Sequence, residues 1–173
     1  MTCIVGIAHE DIVYIGGERA AADEVSVVPL AVPKVCKKGD WVYGYAGTFG
    51  IGQLMDMIKL PPAGEDPYIT LRTVVVDKLK ESISKYSREN DKDSDTVWLI
   101  GAGGRLFELH HADYSTIEVS TTAIGSGANL ALGSLYTTQG WKSQEKRINV
   151  AINAAITYSP TCLGPVDLFS TFE

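Results

Sequence analysis

The chain has no apolar run of the length a bilayer-spanning helix needs, and no basic leader followed by a long apolar stretch. Neither a membrane span nor a secretory signal is expected. It also lacks an excess of positive charge. Fifteen Lys and Arg stand against 21 Asp and Glu, a net charge of −6, with Lys34, Lys37 and Lys38 as the only small cationic cluster. A nucleic-acid partner wants a basic face, so none is expected. Cysteine is scarce. Cys3, Cys36 and Cys162 are odd in number and far apart, with neither zinc-site spacing nor the density of a disulfide scaffold. A reduced, cytoplasmic protein is the reading. The three histidines (His9, His110 and His111) form no H-E-x-x-H pattern, and His110-His111 reads as a surface or turn pair. No metal and no cofactor is called for. There is no fixed repeat, low-complexity tract or linker, and 173 residues with 45% apolar composition read as one domain, 1–173.

Hydrophobic periodicity supplies the order of elements. Residues 3–8 and 12–16 read as a hairpin about His9-Glu10-Asp11, and 34–38 with 41–46 as a second about Gly39-Asp40. Between them, 25–32 is β-prone, but Pro29 and Pro33 confine it to an edge or irregular strand. The period then changes to helical over 49–60, where Pro61-Pro62 stop it, and over 68–88, where Leu71, Val75, Leu79, Ile83 and Tyr86 share a face. The charge run 89–93 is read as a solvated link. Strands at 96–102 and 105–110 flank Gly103-Gly104, and 114–119 and 121–125 continue the meander. Helices at 128–138 and 143–158 and a closing strand at 166–172 complete the chain. Sheet, two helices, sheet, two helices and a strand point to α+β segregation. Two stacked antiparallel sheets with a helix pair on each outer face, a four-layer αββα sandwich, would bury every amphipathic stripe.

The chemistry begins at Thr2. If Met1 is removed, Thr2 carries a hydroxyl nucleophile and an α-amine base on one residue. That amine has an ordinary pKa of about 7.7–8, so it can accept a proton near neutrality. A nearby Lys34 ammonium would lower it further, and Glu18 would hold that lysine. A backbone donor such as Gly44 N–H would stabilise an oxyanion, and loss of one such donor costs about 3–4 kcal/mol. Taken singly, each residue has a plainer reading. Thr2 is an ordinary strand start, Lys34–Glu18 a surface ion pair, Gly44 a bulge, and Ser126 an N-cap in a strand-to-helix turn.

In this order and spacing the blocks Thr2-Cys3-Ile4-Val5-Gly6-Ile7, Ile15-Gly16-Gly17-Glu18-Arg19, Pro33-Lys34-Val35, Tyr43-Gly44-Tyr45-Ala46-Gly47 and Ala123-Ile124-Gly125-Ser126-Gly127 carry a resemblance. The chain resembles, over essentially its full length, the N-terminal-nucleophile peptidases of the proteasome family, in particular the HslV type and the proteasome β-subunits. The resemblance implies the Ntn-hydrolase sandwich and a threonine-type endopeptidase. It assigns Thr2 as nucleophile, Glu18 at a position where many members have Asp, Lys34 as the active-site lysine, Gly44 as oxyanion donor and Ser126 beside the terminal amine. It implies that an extended peptide pairs along Ala20-Ala21-Ala22. A small apolar pocket near Ala21, Val32, Cys36, Val42 and Ala46 would receive the residue before the scissile bond. It further implies homo-oligomeric rings and an AAA+ unfoldase on another chain, since no G-x-x-x-x-G-K-[ST] motif is present here. Ser159 and Cys162 stand where proteasome β-subunits carry Asp and Ser. Those departures and an unremoved Met1 would suit a silent member with a structural or assembly role. A non-proteolytic amidase of the same chemistry is the third reading.

Overall fold

The computed structural model describes residues 2–22, 26–87 and 94–172. Met1, the whole charge run 89–93 with the last residue of the preceding helix reading, and the first residue of the proline-bounded strand lie outside the described residues. Strands β1 (Ile4–His9) and β2 (Ile12–Glu18) form the expected first hairpin. Its turn holds Glu10 and Asp11 at φ of 48° and 58°, the left-handed pair that a two-residue hairpin demands. β3 (Ala20–Ala22) and β4 (Val27–Pro29) make a separate two-stranded ribbon, as the prolines require. β5 (Val35–Lys38) and β6 (Trp41–Ala46) are the second hairpin, and β7 (Val97–Ala102) and β8 (Arg105–His110) the third. With β9 (Thr116–Val119) they form a five-stranded antiparallel sheet in the order β5-β6-β7-β8-β9. β10 (Thr121–Ile124) and β11 (Val166–Ser170) flank the first hairpin in a four-stranded sheet, β10-β1-β2-β11.

Side-chain alternation stacks these sheets. On β6, Trp41, Tyr43 and Tyr45 point into one cluster, and Val42 and Ala46 into another. The first cluster is covered by short turns α1 (Phe49–Gly52) and α2 (Leu54–Met57) and by a longer helical run. That run comprises α3 (Pro67–Thr70), a π-helical turn Leu71–Val75 and α4 (Val76–Tyr86). Leu71, Val75, Leu79 and Ile83 are its buried stripe. On the other sheet, Cys3, Val5 and Ile7 face α5 (Ala128–Thr137) and α6 (Gln144–Tyr158). Between the sheets lie Ile4, Val13, Ile15, Val35, Val42, Leu99, Leu106 and Ile124. The result is the four-layer αββα sandwich.

Several details differ from the sequence reading. The 121–125 strand does not continue the meander: β9 pairs with β8, whereas β10 pairs with β1, so the chain crosses between sheets at Ser120. Local patterning holds no information on which sheet a strand joins. The 49–60 helix is two turns parted at Gln53, where Gly52 lies against the Tyr45 ring. Tyr86, placed by periodicity on one face with Leu71, Val75, Leu79 and Ile83, is 52% exposed at the helix end. His111 lies in the turn after β8, as expected, but is buried and not at the surface, its Nδ1 3.0 Å from the Ser94 carbonyl oxygen.

Candidate active site

Sheet register assembles the site. Ile4 is opposite Gly17 on one side and Ile124 on the other, so the residues just before β1 lie between the end of β2 and the turn after β10. Thr2, Glu18 and Ser126 occupy those three places, and Lys34 enters from just before β5 of the facing sheet. The structure thus brings together four residues spread over 125 positions of sequence.

Lys34 Nζ donates to Thr2 Oγ1 at 2.8 Å and to Glu18 Oε1 at 2.6 Å. Glu18 is fully buried, and Thr2 and Lys34 are each 3% exposed. This is no surface ion pair. Removing two charges from water costs several kcal/mol per ion, so such a pair is poor value for stability alone. Glu18 offsets its burial by accepting from several donors. Oε1 also takes the Cys3 N–H at 3.4 Å, and Oε2 takes the N–H groups of Ala20 and of Leu163, the latter at 3.2 Å. Burial pushes the Lys34 ammonium below its ordinary value, against Glu18, which pulls it up. The adjacent Cys3 thiol is pushed up to about 12, first by burial and then by Cys162 and Glu18.

The Thr2 nitrogen, which becomes the α-amine once Met1 is gone, donates to Ser126 Oγ at 3.1 Å. Ser126 Oγ lies 2.9 Å from Thr161 Oγ1, which lies 3.0 Å from Ser159 Oγ. A chain of three hydroxyls therefore leads away from that nitrogen. Each hydroxyl can turn to donate or accept. Cys162 is buried in the helix-side core with Cys3, and its thiol also meets the Ser159 and Thr161 side chains, which pull its pKa down against the larger upward push of burial.

Thr2 opens onto a cavity of about 490 Å³ bounded by Ala46, Gly47, Thr48, Asp95, Val97, Gly125 and Ser126. Gly47, at φ 117°, is a position for glycine only, because a Cβ there would stand 2.6 Å from Thr96 Cα. Gly125, at φ 93°, likewise turns tightly over the Thr2 carbonyl.

Of the expected substrate positions, Ala46 lines this cavity. Gly44 does not reach it. It sits mid-strand between Val35 and Leu99, and its missing Cβ makes room for Val35 and Ile4 between the sheets. Its N–H belongs to a central ladder, so it is a packing glycine and not an oxyanion donor. Gly47, three residues on, presents its backbone to the cavity instead. Val42 is enclosed in the inter-sheet core, Val32 is 62% exposed, and Cys36 is half-buried with Sγ 3.8 Å from Asp56 Oδ1. Ala20 is buried beside Glu18, while Ala21 and Ala22 are half-buried and pair with Val28 and Val27. The sequence reading assigned no role to Gly47, Thr161 or Asp95. A glycine ending a buried strand was a usable signal for the first. For the other two no sequence signal existed. Among the described residues no group of three His, Cys, Asp or Glu is placed to hold a metal.

No family model and no curated protein sequence matches the chain. Solved structures do. The complex of Thiobacillus denitrificans BPH with epoxomicin superposes with a TM-score of 0.82 at 18% identity, covering 98% of this chain and 97% of that one. Eukaryotic HslV from Trypanosoma brucei gives 0.73 at 18% identity, covering 98% of each chain. The Gly-1 mutant of Anbu from Hyphomicrobium sp. strain MC1 gives 0.70 at 15%, covering 97% of this chain and 80% of that one. At these identities the likeness is one of fold. The chain shares the four-layer αββα fold of these HslV-type structures.

Proposed function

We propose that this chain is a threonine-type endopeptidase that cuts peptide bonds through Thr2 after loss of Met1. One observation carries the reading: the Thr2 hydroxyl lies 2.8 Å from a buried lysine while its own nitrogen is held by Ser126 at the mouth of a cavity. Thr2 Oγ attacks the substrate carbonyl carbon and passes its proton to the Thr2 amine. The Lys34 ammonium stabilises the developing alkoxide and, by its charge, keeps the amine neutral near pH 7. Glu18 holds Lys34 in place as a positioning residue. The oxyanion forms against the backbone of Gly47. The amine then gives its proton to the leaving nitrogen, the C–N bond breaks, and an ester on Thr2 remains. Water, deprotonated by the same amine, hydrolyses that ester. Ser126, Thr161 and Ser159 orient the amine and exchange its proton with solvent.

The fold also supports self-association into rings that enclose these sites, with protein substrate supplied by an ATP-driven unfoldase on another chain. Ala20–Ala22 is the edge on which an extended peptide would pair. The test is direct. Met1-free protein is incubated with fluorogenic peptides and with epoxomicin, the compound bound in the Thiobacillus denitrificans BPH complex. Turnover and a covalent adduct on Thr2 are expected. Neither appearing would remove the peptidase reading. The second reading, a silent structural member, draws on the absence of a carboxylate from the Ser126–Thr161–Ser159 chain. An intact mass showing Met1 retained on protein from its native host would favour it.

A further inference from the structure

The cavity beside Thr2 has a definite place relative to the scissile bond. Its lining includes Ser126, which accepts from the Thr2 nitrogen, and Gly125, which lies over the Thr2 carbonyl, but neither Glu18 nor Ala20–Ala22. The amine is the group that protonates the leaving nitrogen. The cavity also reaches Gly47, where the scissile carbonyl would sit, and Ala46, expected beside the residue before the cut; with the acyl half running along β3, its Ser126 side is left for the first residues of the departing half. Apart from Thr2 itself, Asp95 is the one ionisable residue among those lining it. Asp95 is exposed, and among the described residues no cation is bridged to it.

Its backbone is held more firmly than exposure suggests. Ser94 and Thr96, on either side, are 7% and 1% exposed. Their hydroxyls lie 2.7 Å apart. Ser94 Oγ donates to Thr48 Oγ1 at 3.0 Å, and Thr96 Oγ1 accepts the Thr48 N–H at 3.0 Å. Buried His111 completes the knot, its N–H donating to the Thr96 carbonyl at 2.9 Å and its ring meeting the Ser94 carbonyl. Gly47 packs against Thr96 Cα on the same side. This buried polar cluster, otherwise without a task, leaves one side chain facing outward, and that side chain faces the cavity.

We propose that Asp95 makes this cavity a subsite for cationic side chains, so that the enzyme prefers peptides with Lys or Arg just after the scissile bond. This rests on the peptidase reading above. The test uses Met1-free protein and peptides with one acyl half, carrying Lys, Ala or Glu at the first or second position after the cut. The order Lys, Ala, Glu in kcat/KM is expected at one of these positions. A Lys-to-Glu ratio of about five- to tenfold is the scale of an ion pair partly screened by water. Asp95→Asn should bring the ratio near one, Asp95→Lys should invert it, and raised salt should shrink it in the wild type. Epoxomicin labelling of Thr2 is read in parallel. Labelling and cleavage with no charge preference, or a preference unmoved by Asp95→Asn, overturns the subsite and leaves the peptidase reading standing. No labelling and no cleavage removes that reading, and the subsite with it.

Discussion

At the scale of single residues, the proposed mechanism gives Lys34 two duties that pH can separate. The Thr2 amine must be neutral to act as base, so the rate should rise with pH as that amine loses its proton. Lys34 must be charged to stabilise the alkoxide, so the rate should fall when it deprotonates. Burial lowers its proton affinity, which places the alkaline limb below the ordinary lysine value of about 10.4. A bell-shaped profile of kcat/KM is expected, and Lys34→Ala should lower activity by about 10³-fold or more. A profile still rising at pH 10.5 would contradict this role. Thr161 makes a subtler case. Thr161→Val keeps the shape but cuts the hydroxyl chain between Ser126 and Ser159. The expected result is about a tenfold loss in kcat with KM little changed and the acid limb displaced, as for a group acting on proton transfer. A simple loss of folding would instead lower the active fraction and leave the profile in place. Cysteine reactivity gives an independent check. Cys3 is fully buried with its thiol pushed up to about 12, so alkylating agents at pH 8 should spare it in the native protein and modify it after denaturation.

At the scale of elements, the two glycines of the β6 segment differ in kind. Gly44 lies where a Cβ would stand 2.6 Å from Val35 Cγ1 and 3.0 Å from Ile4 Cγ2, in the space where the sheets meet. Gly44→Ala should destabilise by about 1–3 kcal/mol through overpacking, read as a lower denaturation midpoint. Gly47→Ala meets backbone and a positive φ as well. It should cost about as much stability and reduce turnover in the fraction that stays folded, because the strand end carrying the proposed oxyanion donor must move. Comparing kcat per folded molecule in the two variants separates packing from chemistry. Legibility in the sequence follows the same division. Hairpins about Glu10-Asp11, Gly39-Asp40 and Gly103-Gly104 were readable because their turns need left-handed residues next to alternating strands. The helical stripe Leu71-Val75-Leu79-Ile83 was readable by period. The partner of β10 was not, since Thr121–Ile124 alternates equally well against either sheet.

For the whole molecule, the sandwich holds the site at its rim. Thr2 comes from one sheet and Lys34 from the other, so the Thr2–Lys34 distance is also an inter-sheet distance. Cavities cut into the core between them should therefore act on rate as well as stability. Leu99→Ala, in the centre of that core, is expected to cost about 2–5 kcal/mol and to lower kcat at temperatures where the protein is still folded. Ring assembly is tested by light scattering of the intact protein. A multi-subunit mass is expected, and a stable monomer at working concentration would count against an enclosed chamber. The sequence by itself determined the strands, the helices, the layered architecture and the residue types a threonine nucleophile needs, because periodicity, turn chemistry and side-chain acidity are local properties. Only the tertiary structure decided that Gly47 and not Gly44 borders the cavity, that Thr161 links Ser126 to Ser159, and that Asp95 lines the same cavity as Thr2. Those are matters of register and of which sheet a strand joins. They are settled by packing between segments far apart in the chain, and no short stretch of residues encodes them.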